Sequence, residues 1–274
     1  FGDCSSDVCS SDLANHGGPD FAYRLRLSEP RPDFELKVTP SAINVIPGGH
    51  APFEVHVLRK DGYQGPIDLS LADAPGGFRL SGSQVPAGCD RLQLTLAAPL
   101  EAPGHPVALR LRGRIQAGGT TVERDAQAAD DTMQAFLWRH LVPASEWLAW
   151  VGPPKSKGPQ IEITGPLPVK IPTGGSAEVN IKLPSWIAER EHEFALVQPP
   201  EGISVSPKPR KTDSGIALRI SAEKDKPAAG HAGNLIFEGF GVKANKGKET
   251  QRWPIGYLPA VPIVITGPAA EANK

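Results

Sequence analysis

The sequence predicts an all-β chain of two tandem antiparallel β-sandwiches that are related by an internal repeat. Short segments alternate apolar and polar residues between turns rich in glycine and proline, and this alternation is typical of half-buried strands. One such pattern occurs twice. The turn Ile46–Gly49 precedes an alternating strand at Ala51–Val57, and Ile171–Gly175 precedes another at Ala177–Leu183, displaced by 126 residues. We therefore expect two copies of one fold.

The repeat continues through three further strand-like blocks in the same order. The period of about 125 residues excludes a solenoid, whose repeats run roughly 20–50 residues, and gives each copy enough chain for its own core. Frequent short strands between turns favour an immunoglobulin-like sandwich for each copy. The matched blocks are Asp68–Leu71 with Glu193–Leu196, Leu92–Leu96 with Ile216–Ile220, and Leu109–Gly113 with Leu235–Gly239.

We predict six segments along the chain of 274 residues. Changes in composition and the proline-rich stretches set their boundaries. The segments are a terminal stretch at 1–13, one strand of a truncated upstream β domain at 14–30, the first sandwich at 31–151, a linker at 152–159, the second sandwich at 160–267 and a tail at 268–274.

Residues 1–13 need separate treatment because they repeat Cys-Ser-Ser-Asp and have no apolar periodicity. Asp7–Leu13 resembles the translation of a common sequencing adapter, so we expect an artefact outside the fold, with a genuine disordered terminus as the alternative. Cys4 and Cys9 then play no structural part. We interpret the remaining thiol, Cys89, as a small turn residue, since no metal-site spacing surrounds it.

Two glycine-containing turns predict hairpins. Asp61-Gly62 separates the strand-like segments Val55–Leu58 and Ile67–Leu71, and such a dipeptide favours a tight hairpin turn. Gly118-Gly119 predicts a second hairpin.

The stretch 125–142 is ambiguous, because its apolar residues also fit helical spacing. The corresponding part of the second copy contains Pro254 and Pro259, which a helix resists. We therefore predict extended structure that ends at 141–144, with a turn of helix near Ala128.

Composition and motifs argue against several functions. The net charge is −1 and the pI is about 6.7, so no bulk field attracts nucleic acid or a membrane surface. No run of about 18 apolar residues occurs, so we expect no membrane insertion in this sequence. The nucleophile elbow, the phosphate loop and the His-Glu-x-x-His zinc motif are all absent. We expect no catalytic residue, no cofactor and no metal.

Two groups of residues could nevertheless hold a metal. Four acidic residues could form an oxygen-rich calcium site, but they lack calcium-loop spacing, so a solvated acidic loop is our main interpretation. His50 and His56 share a strand face but stand about 20 Å apart, too far to bind one ion. The acidic residues are Glu123, Asp125, Asp130 and Asp131.

The aromatic residues allow two interpretations, because tryptophan both fills cores and stacks on sugars. Tyr63 and Trp186 occupy equivalent loops of the two copies, and they are the candidate ligand contacts. A shared packing cap is the preferred interpretation of this pair. The tryptophans are Trp138, Trp147, Trp150, Trp186 and Trp253.

A family resemblance adds to this. Pro19–Leu27 resembles the closing strand of a bacterial pre-peptidase C-terminal domain, a jelly-roll-like sandwich found beside secreted peptidases and in envelope proteins. Arg31–Pro40, Leu58–Tyr63 and Met133–Phe136 resemble segments in the tails of large multidomain bacterial proteins that carry such a domain. The resemblance implies export and a multidomain parent, and it implies no catalytic residues.

We therefore expect a non-catalytic structural or interaction module of an exported bacterial protein, acting as a spacer, an adhesion element or a protein-binding tail. The alternative is a carbohydrate-binding accessory module of a secreted hydrolase or peptidase whose catalytic domain is not in this sequence. A third hypothesis, that the chain is itself an enzyme, requires a cleft with convergent titratable groups. The expected location is extracellular or in the cell envelope, and the candidate partners are envelope proteins or polysaccharides.

Overall fold

The structure is a computed structural model that describes residues 29–134, 138–153, 157–184, 187, 191–213, 215–243 and 251–268. The chain divides into two compact units, Phe1–Arg31 and Pro32–Lys274. Only 29–31 of the first unit are described. The adapter-like stretch and the strand that resembles a pre-peptidase domain therefore lie outside the described residues, and the segment boundaries stay predictions.

The second unit is built from strands. Where they border a core, buried and exposed side chains alternate, as the sequence pattern predicted. The strands are β1 Asp33–Thr39, β2 Ala42–Val45, β3 His50–Lys60, β4 Ile67–Ala72, β5 Arg79–Ser81, β6 Gln84–Val85, β7 Arg91–Ala97, β8 Val107–Ala117, β9 Thr120–Asp125, β10 Gln127–Gln134, β11 Trp138–Pro143, β12 Trp147–Val151, β13 Glu162–Thr164, β14 Val169–Pro172, β15 Ser176–Lys182, β16 His192–Val197, β17 Ile203–Val205, β18 Arg210–Thr212, β19 Gly215–Ala222, β20 Ala232–Lys243, β21 Gln251–Tyr257 and β22 Val261–Thr266.

These strands form four sheets, two to each sandwich. Sheet A has the order β11-β10-β1-β3-β7-β5, and sheet B has β2-β12-β8-β4-β6 with β9 beside β8. Sheet C has the order β13-β15-β19-β17 with β18 beside β19, and sheet D has β14-β22-β20-β16 with β21 beside β20. The order β1-β3-β7-β5 thus recurs as β13-β15-β19-β17, and β2-β12-β8-β4 recurs as β14-β22-β20-β16. The predicted fold class, an all-β chain of two related sandwiches, is confirmed.

Each sandwich has its own hydrophobic core. Phe34, Leu94 and Leu111 lie in the first core and Leu218 and Phe237 in the second, all of them buried. Fully burying an aliphatic or aromatic side chain contributes about 1.5–3 kcal/mol, so each core can support its own pair of sheets.

The glycine turn before β3 shows why the repeated motif recurs. Gly48 has a φ of 72°, a left-handed conformation that glycine adopts without strain. The N–H of Gly49 donates to the carbonyl of Ile46 at 2.9 Å, which closes the turn. The N–H of Ala98 then donates to the Gly49 carbonyl at 3.0 Å, and the N–H of Gly48 donates to the Pro99 carbonyl at 2.9 Å. The turn therefore sets the start of β3 against the end of β7.

The second copy has the same left-handed glycine and makes the same three hydrogen bonds. Gly174 has a φ of 70°, and the N–H of Gly175 donates to the Pro172 carbonyl at 2.9 Å. Ala222 donates to the Gly175 carbonyl at 3.0 Å, and Gly174 donates to the Glu223 carbonyl at 3.1 Å. The repeated Gly-Gly is thus a repeated hydrogen-bonded clamp between β15 and β19.

One predicted hairpin is wrong and the other is confirmed. Asp61 and Gly62 have positive φ values of 48° and 75°, as a tight turn requires. The turn nevertheless leads from sheet A to sheet B, because β1 and β7 already pair with both edges of β3 and leave no edge for β4. Gly118-Gly119 does close a hairpin. In it β8 pairs antiparallel with β9, and Ala117 lies opposite Thr120.

The ambiguous stretch at 125–142 is extended, as predicted, but the helical turn near Ala128 is wrong. β10 and β11 form an antiparallel hairpin, with Ala129 opposite Pro143. Ala128 pairs in parallel with Val38 of β1 and is buried against the first core. Tertiary pairing with β1 therefore overrides the local helical spacing.

The conformation of the clamp turn predicts that one methyl group added at Gly174 lowers the stability of the protein. Gly174→Ala should lower the free energy of unfolding by about 1–2 kcal/mol, because an L-residue is strained in the left-handed region. The nearest atoms to an added Cβ are 3.6 Å away, so the strain comes from φ rather than from a clash. Urea denaturation measures this change.

Gly267→Ala is the matched control for Gly174→Ala, since an added Cβ there meets nothing within 4 Å and the residue has no positive φ. Gly174→Asn should recover part of the loss, because asparagine tolerates the left-handed conformation. Equal stability of Gly174→Ala and Gly267→Ala would show that the clamp imposes no such requirement.

Candidate functional site

The second sandwich packs against the outer face of sheet A. On β7, Leu92, Leu94 and Leu96 lie in the first core, so Gln93 and Thr95 point outward. Thr95 is nevertheless 0% exposed. Its side-chain oxygen accepts a hydrogen bond of 2.8 Å from a backbone N–H of the second sandwich, that of residue 260 between β21 and β22.

A second polar contact also joins the two sandwiches. The side-chain amide of Asn234 on β20 donates to the carbonyls of Gly82 and Gln93, each at 2.8 Å. A Cβ on Gly82 would lie 2.2 Å from this amide nitrogen, so the glycine permits the close approach. Gln93 also donates from its side chain to the side-chain oxygen of Gln198 at 2.9 Å. Four hydrogen bonds that involve side chains therefore join the two sandwiches.

A cleft of about 1040 Å³ lies beside this contact and is lined by residues of both sandwiches. Its position fits the general preference of ligand sites for junctions between packed modules. No Phe, Tyr or Trp is among the lining residues. The side chains that give the cleft its chemistry are His50, Arg79 and Leu100 from the first sandwich, and Glu162, Leu167 and Lys182 from the second.

Strand register explains how the first sandwich forms its wall. Ala97 on β7 is directly opposite His50 on β3 and directly opposite Arg79 on β5. The three residues form one row across sheet A, and His50 and Arg79 stand about 10 Å apart because adjacent strands are about 4.8 Å apart. Ala97, with its small side chain, is the buried middle member of this row.

The two larger members of this row differ in charge. Burial lowers the pKa of His50 to about 4, and the positive charge of Arg79 acts in the same direction. His50 is therefore neutral at pH 7, and its buried Nδ1 has no hydrogen-bond partner among the described residues. Arg79 is exposed, and no described residue forms an ion pair or hydrogen bond with it.

On the facing wall the charges are already matched. Lys182 Nζ lies 3.7 Å from Glu162 Oε2, across the paired strands β13 and β15. Arg79 is thus the charged side chain of the cleft that lacks a partner within the described part of the chain.

Tyr63, one of the two candidate ligand contacts, packs as a cap. Its hydroxyl donates to the carbonyl of Pro66 at 2.6 Å, and its ring lies over Gly65, where an added Cβ would be 2.6 Å from the hydroxyl oxygen. The guanidinium carbon of Arg59 lies 5.7 Å from the ring centroid. This packing favours the cap, and a ligand role for Tyr63 stays a prediction. Trp186, the other candidate, lies outside the described residues.

The described tryptophans do not share one surface. Trp147 is 3% exposed and packs on Phe53, with ring centroids 5.0 Å apart. Trp138 is 67% exposed, and Trp150 and Trp253 are each 38% exposed. These three belong to sheets A, B and D. They therefore offer no single sheet face for stacking on a sugar chain.

The acidic residues considered for calcium lie on strands rather than in a loop, so the predicted acidic loop is wrong. Asp125 accepts hydrogen bonds of 2.6 and 3.2 Å from Arg112, and this contact lowers the pKa of its carboxyl. Asp131 is held in the same way by Arg139, with its pKa also lowered. Each carboxylate is engaged by a neighbouring strand's cation, because cross-strand pairs face each other across the hairpins.

Asp130, another residue considered for calcium, and the turn residue Cys89 are also engaged. Asp130 accepts hydrogen bonds from the backbone N–H and the hydroxyl of Ser41, at 2.9 and 2.8 Å. Cys89 is half-buried and donates its thiol to the Arg91 carbonyl at 2.9 Å. Within the described ranges no group of three His, Cys, Asp or Glu side chains could hold a metal ion. In the same ranges no helix has the length and apolar character needed to cross a membrane.

Sequence reasoning did not single out Arg79, Ala97 or Asn234. It considered His50 only as a metal ligand. Alternation along β7 places Gln93 and Thr95 on the outward face, but the pattern is the same whether that face meets water or another sandwich. The register of β3, β7 and β5, which no local motif shows, brings His50 and Arg79 together.

The buried threonine predicts a stability difference between two similar side chains. Thr95→Val should lower the free energy of unfolding by about 1–3 kcal/mol, because the isosteric valine leaves the buried N–H of Ala260 without an acceptor. Thr95→Ser keeps the hydroxyl and should lose less. Chemical denaturation of the two variants measures the difference, and a valine variant as stable as the serine variant would contradict this role.

His50 predicts a pH dependence of stability. The unfolded histidine binds a proton at its ordinary pKa of 6.5, whereas the folded histidine does so at about 4. Its contribution to stability is complete above pH 6.5 and is lost as the pH falls from 6.5 to 4. His50→Gln should remove this component from the pH profile of unfolding free energy. Parallel profiles for the two proteins between pH 4 and 6.5 would refute the assignment.

Among the comparisons with known proteins, the one with solved structures found similar chains. No protein-family model matches the chain, and no curated protein matches it. Among solved structures, the D00-D0 domain of intimin is similar with a TM-score of 0.26 and 12% sequence identity, covering 85% of this chain and 100% of that one. At this TM-score the likeness carries no inference about function, so the fold rests on the observed sheets.

Proposed function

We propose that the protein is a non-catalytic structural module, a rigid pair of sandwiches that serves as a spacer in an exported bacterial protein. The carrying observation is the buried hydrogen bond between Thr95 and Ala260, supported by the two bonds from Asn234. Buried polar groups that lose their partners cost about 1–3 kcal/mol each. A slide or rotation of the packed sandwiches would leave these groups buried without partners, so the pair keeps one orientation.

The contacts of the cleft support a role without catalysis. Nucleophilic and acid–base catalysis need a nucleophile within hydrogen-bond reach of a base that a third group orients. His50 makes no hydrogen bond to a serine, cysteine or carboxylate among the described residues. Glu162 is paired with Lys182 instead. These side chains hold and shape the cleft without forming a relay.

Export enters the proposal through the sequence resemblance. Pro19–Leu27 resembles the closing strand of a pre-peptidase C-terminal domain, and such domains accompany secreted peptidases and envelope proteins. A spacer in an extracellular or envelope protein fits the paired sandwiches. Adhesion and protein binding are finer versions of the same role.

Carbohydrate binding is the second candidate, and Trp138 is the observation that favours it. Its side chain is 67% exposed at the start of β11. An exposed indole is a suitable surface for stacking on a sugar ring. The other half-exposed tryptophans belong to different sheets, however, so we rank this function below the spacer.

The distance between two spin labels tests the rigid-spacer proposal. Cys4, Cys9 and Cys89 are replaced by serine, and labels are placed on cysteines at Arg114 and Lys170, exposed residues of the first and second sandwich. Double electron–electron resonance should give one narrow distance distribution, because the interface hydrogen bonds fix the orientation.

A double variant provides the contrast for this measurement. Thr95→Val with Asn234→Ala removes three of the four interface hydrogen bonds, leaving the one between Gln93 and Gln198, and should broaden the distribution. Leu58→Ala, which alters an exposed side chain of sheet A, is the control and should leave it narrow. A distribution in the unmodified background as broad as that of the double variant would rule out a rigid spacer.

A further inference from the structure

We propose that the cleft between the sandwiches binds an extended peptide segment that carries a carboxylate, and that Arg79 is the residue that binds this carboxylate. The inference goes beyond the spacer role. A spacer can keep its rigid form whether or not the cleft is occupied.

The first argument is charge. Arg79 lines the cleft and has no partner among the described residues, although most arginines on the first sandwich that have exposed side chains are paired. A guanidinium binds a carboxylate through two parallel hydrogen bonds, a geometry that lysine cannot match. Paired arginines of the first sandwich include Arg91 with Glu54, Arg110 with Asp73, Arg112 with Asp125, and Arg139 with Asp131.

The second argument is the shape of the wall. Ala97 separates His50 from Arg79 in one row of sheet A, and of these three residues only Arg79 is exposed. His50 is neutral at pH 7, so Arg79 carries the positive charge of the row. The site therefore suits one carboxylate beside Arg79, with an uncharged neighbour on the side of β3.

The third argument concerns strand edges and explains why a peptide is the favoured ligand. β5 ends sheet A and β13 ends sheet C, and residues of both strands line the cleft. The outer edge of an end strand presents N–H and C=O groups to which an extended peptide can add as a new strand. In the first sandwich β10 pairs with β1, whereas in the order of sheet C no described strand pairs with the equivalent edge of β13.

The size and the apolar rim of the cleft agree with a peptide. Its volume of about 1040 Å³ lies at the upper end of the usual range for ligand sites, enough for several residues in extended conformation. Leu100 and Leu167, one from each sandwich, line the cleft and are about half exposed. They can contact the apolar side chains that alternate with polar ones along a bound strand.

A polysaccharide fits the same cleft less well. Sugar rings are bound by stacking on aromatic side chains, mainly Trp, Tyr and Phe, together with hydrogen bonds, and none of these three residue types lines the cleft. An acidic polysaccharide could still place a carboxylate on Arg79. It is therefore one outcome of the test and not part of the proposal.

A matched peptide array tests the proposal. Each hexapeptide is acetylated and amidated and has one central Glu in a background of Val, Thr, Ser and Ala, so that this side chain is its sole carboxylate. Each has a twin with Gln at the same position. We expect a subset of the Glu peptides to bind at least about tenfold more tightly than their twins, because only the carboxylate forms the charged pair with Arg79. Fluorescence anisotropy with the labelled best pair measures this ratio.

Two arginine variants locate the interaction. Arg79→Gln should abolish the preference for Glu, and Arg79→Lys should retain only part of it because lysine lacks the planar fork. Arg114→Gln is the matched control, since Arg114 is an exposed arginine on β8 outside the cleft and its loss changes the net charge equally. Equal thermal stability of the two Gln variants shows that Arg79→Gln acts on binding and not on folding.

Three results would overturn the proposal. In the first, no Glu peptide binds better than its Gln twin. In the second, Arg79→Gln and Arg114→Gln bind the peptides equally well. In the third, oligogalacturonate binds in an Arg79-dependent manner while the peptides do not, which would assign the cleft to an acidic sugar. None of these results alters the spin-label distance, so failure of this proposal and failure of the spacer proposal are distinguishable.

Discussion

The arrangement of the two sandwiches depends on a hydrogen bond on the outer face of sheet A, between the hydroxyl of Thr95 and the backbone N–H of Ala260. Neither group is open to water, because Thr95 is 0% and Ala260 1% exposed. A buried N–H requires an acceptor, and a buried hydroxyl requires a partner. This requirement, together with the amide of Asn234 on two carbonyls, sets the position of the second sandwich on β7.

The position of the cleft follows from where the contact between the two sandwiches ends on β7. Thr95 and Ala97 lie on the same face of β7, two residues and therefore about 6.7 Å apart. The second sandwich covers the first of these residues, whereas the second lies in the wall of the cleft. The row of His50, Ala97 and Arg79 thus lies at the margin of the interface. Burial there keeps the histidine neutral, whereas the arginine is exposed and has no protein partner among the described residues.

The two copies of the fold differ in whether the edge of their first strand is covered, and the candidate site depends on this difference. Both retain the glycine clamp, because the start of β3 meets the end of β7, and the start of β15 the end of β19, with the same hydrogen bonds. The first copy adds the β10–β11 hairpin, which pairs with β1 and extends sheet A. In the second copy the equivalent strand, β13, ends sheet C and lines the cleft. A duplicated sandwich can therefore keep its core pattern while one copy covers a strand edge and the other leaves it available for binding.

The sequence by itself determined the strand alternation, the glycine turns before β3 and β15, and the repetition of one sandwich, because these are local requirements of backbone conformation and burial. It misassigned Asp61-Gly62, since a turn signal does not reveal that both edges of β3 are already paired. Only the tertiary structure decided that Thr95 is buried and that Arg79 stands beside His50. Polar residues on an outward strand face have the same sequence pattern whether water or another sandwich covers them. A row of residues that spans three strands leaves no signal in the sequence of any single strand.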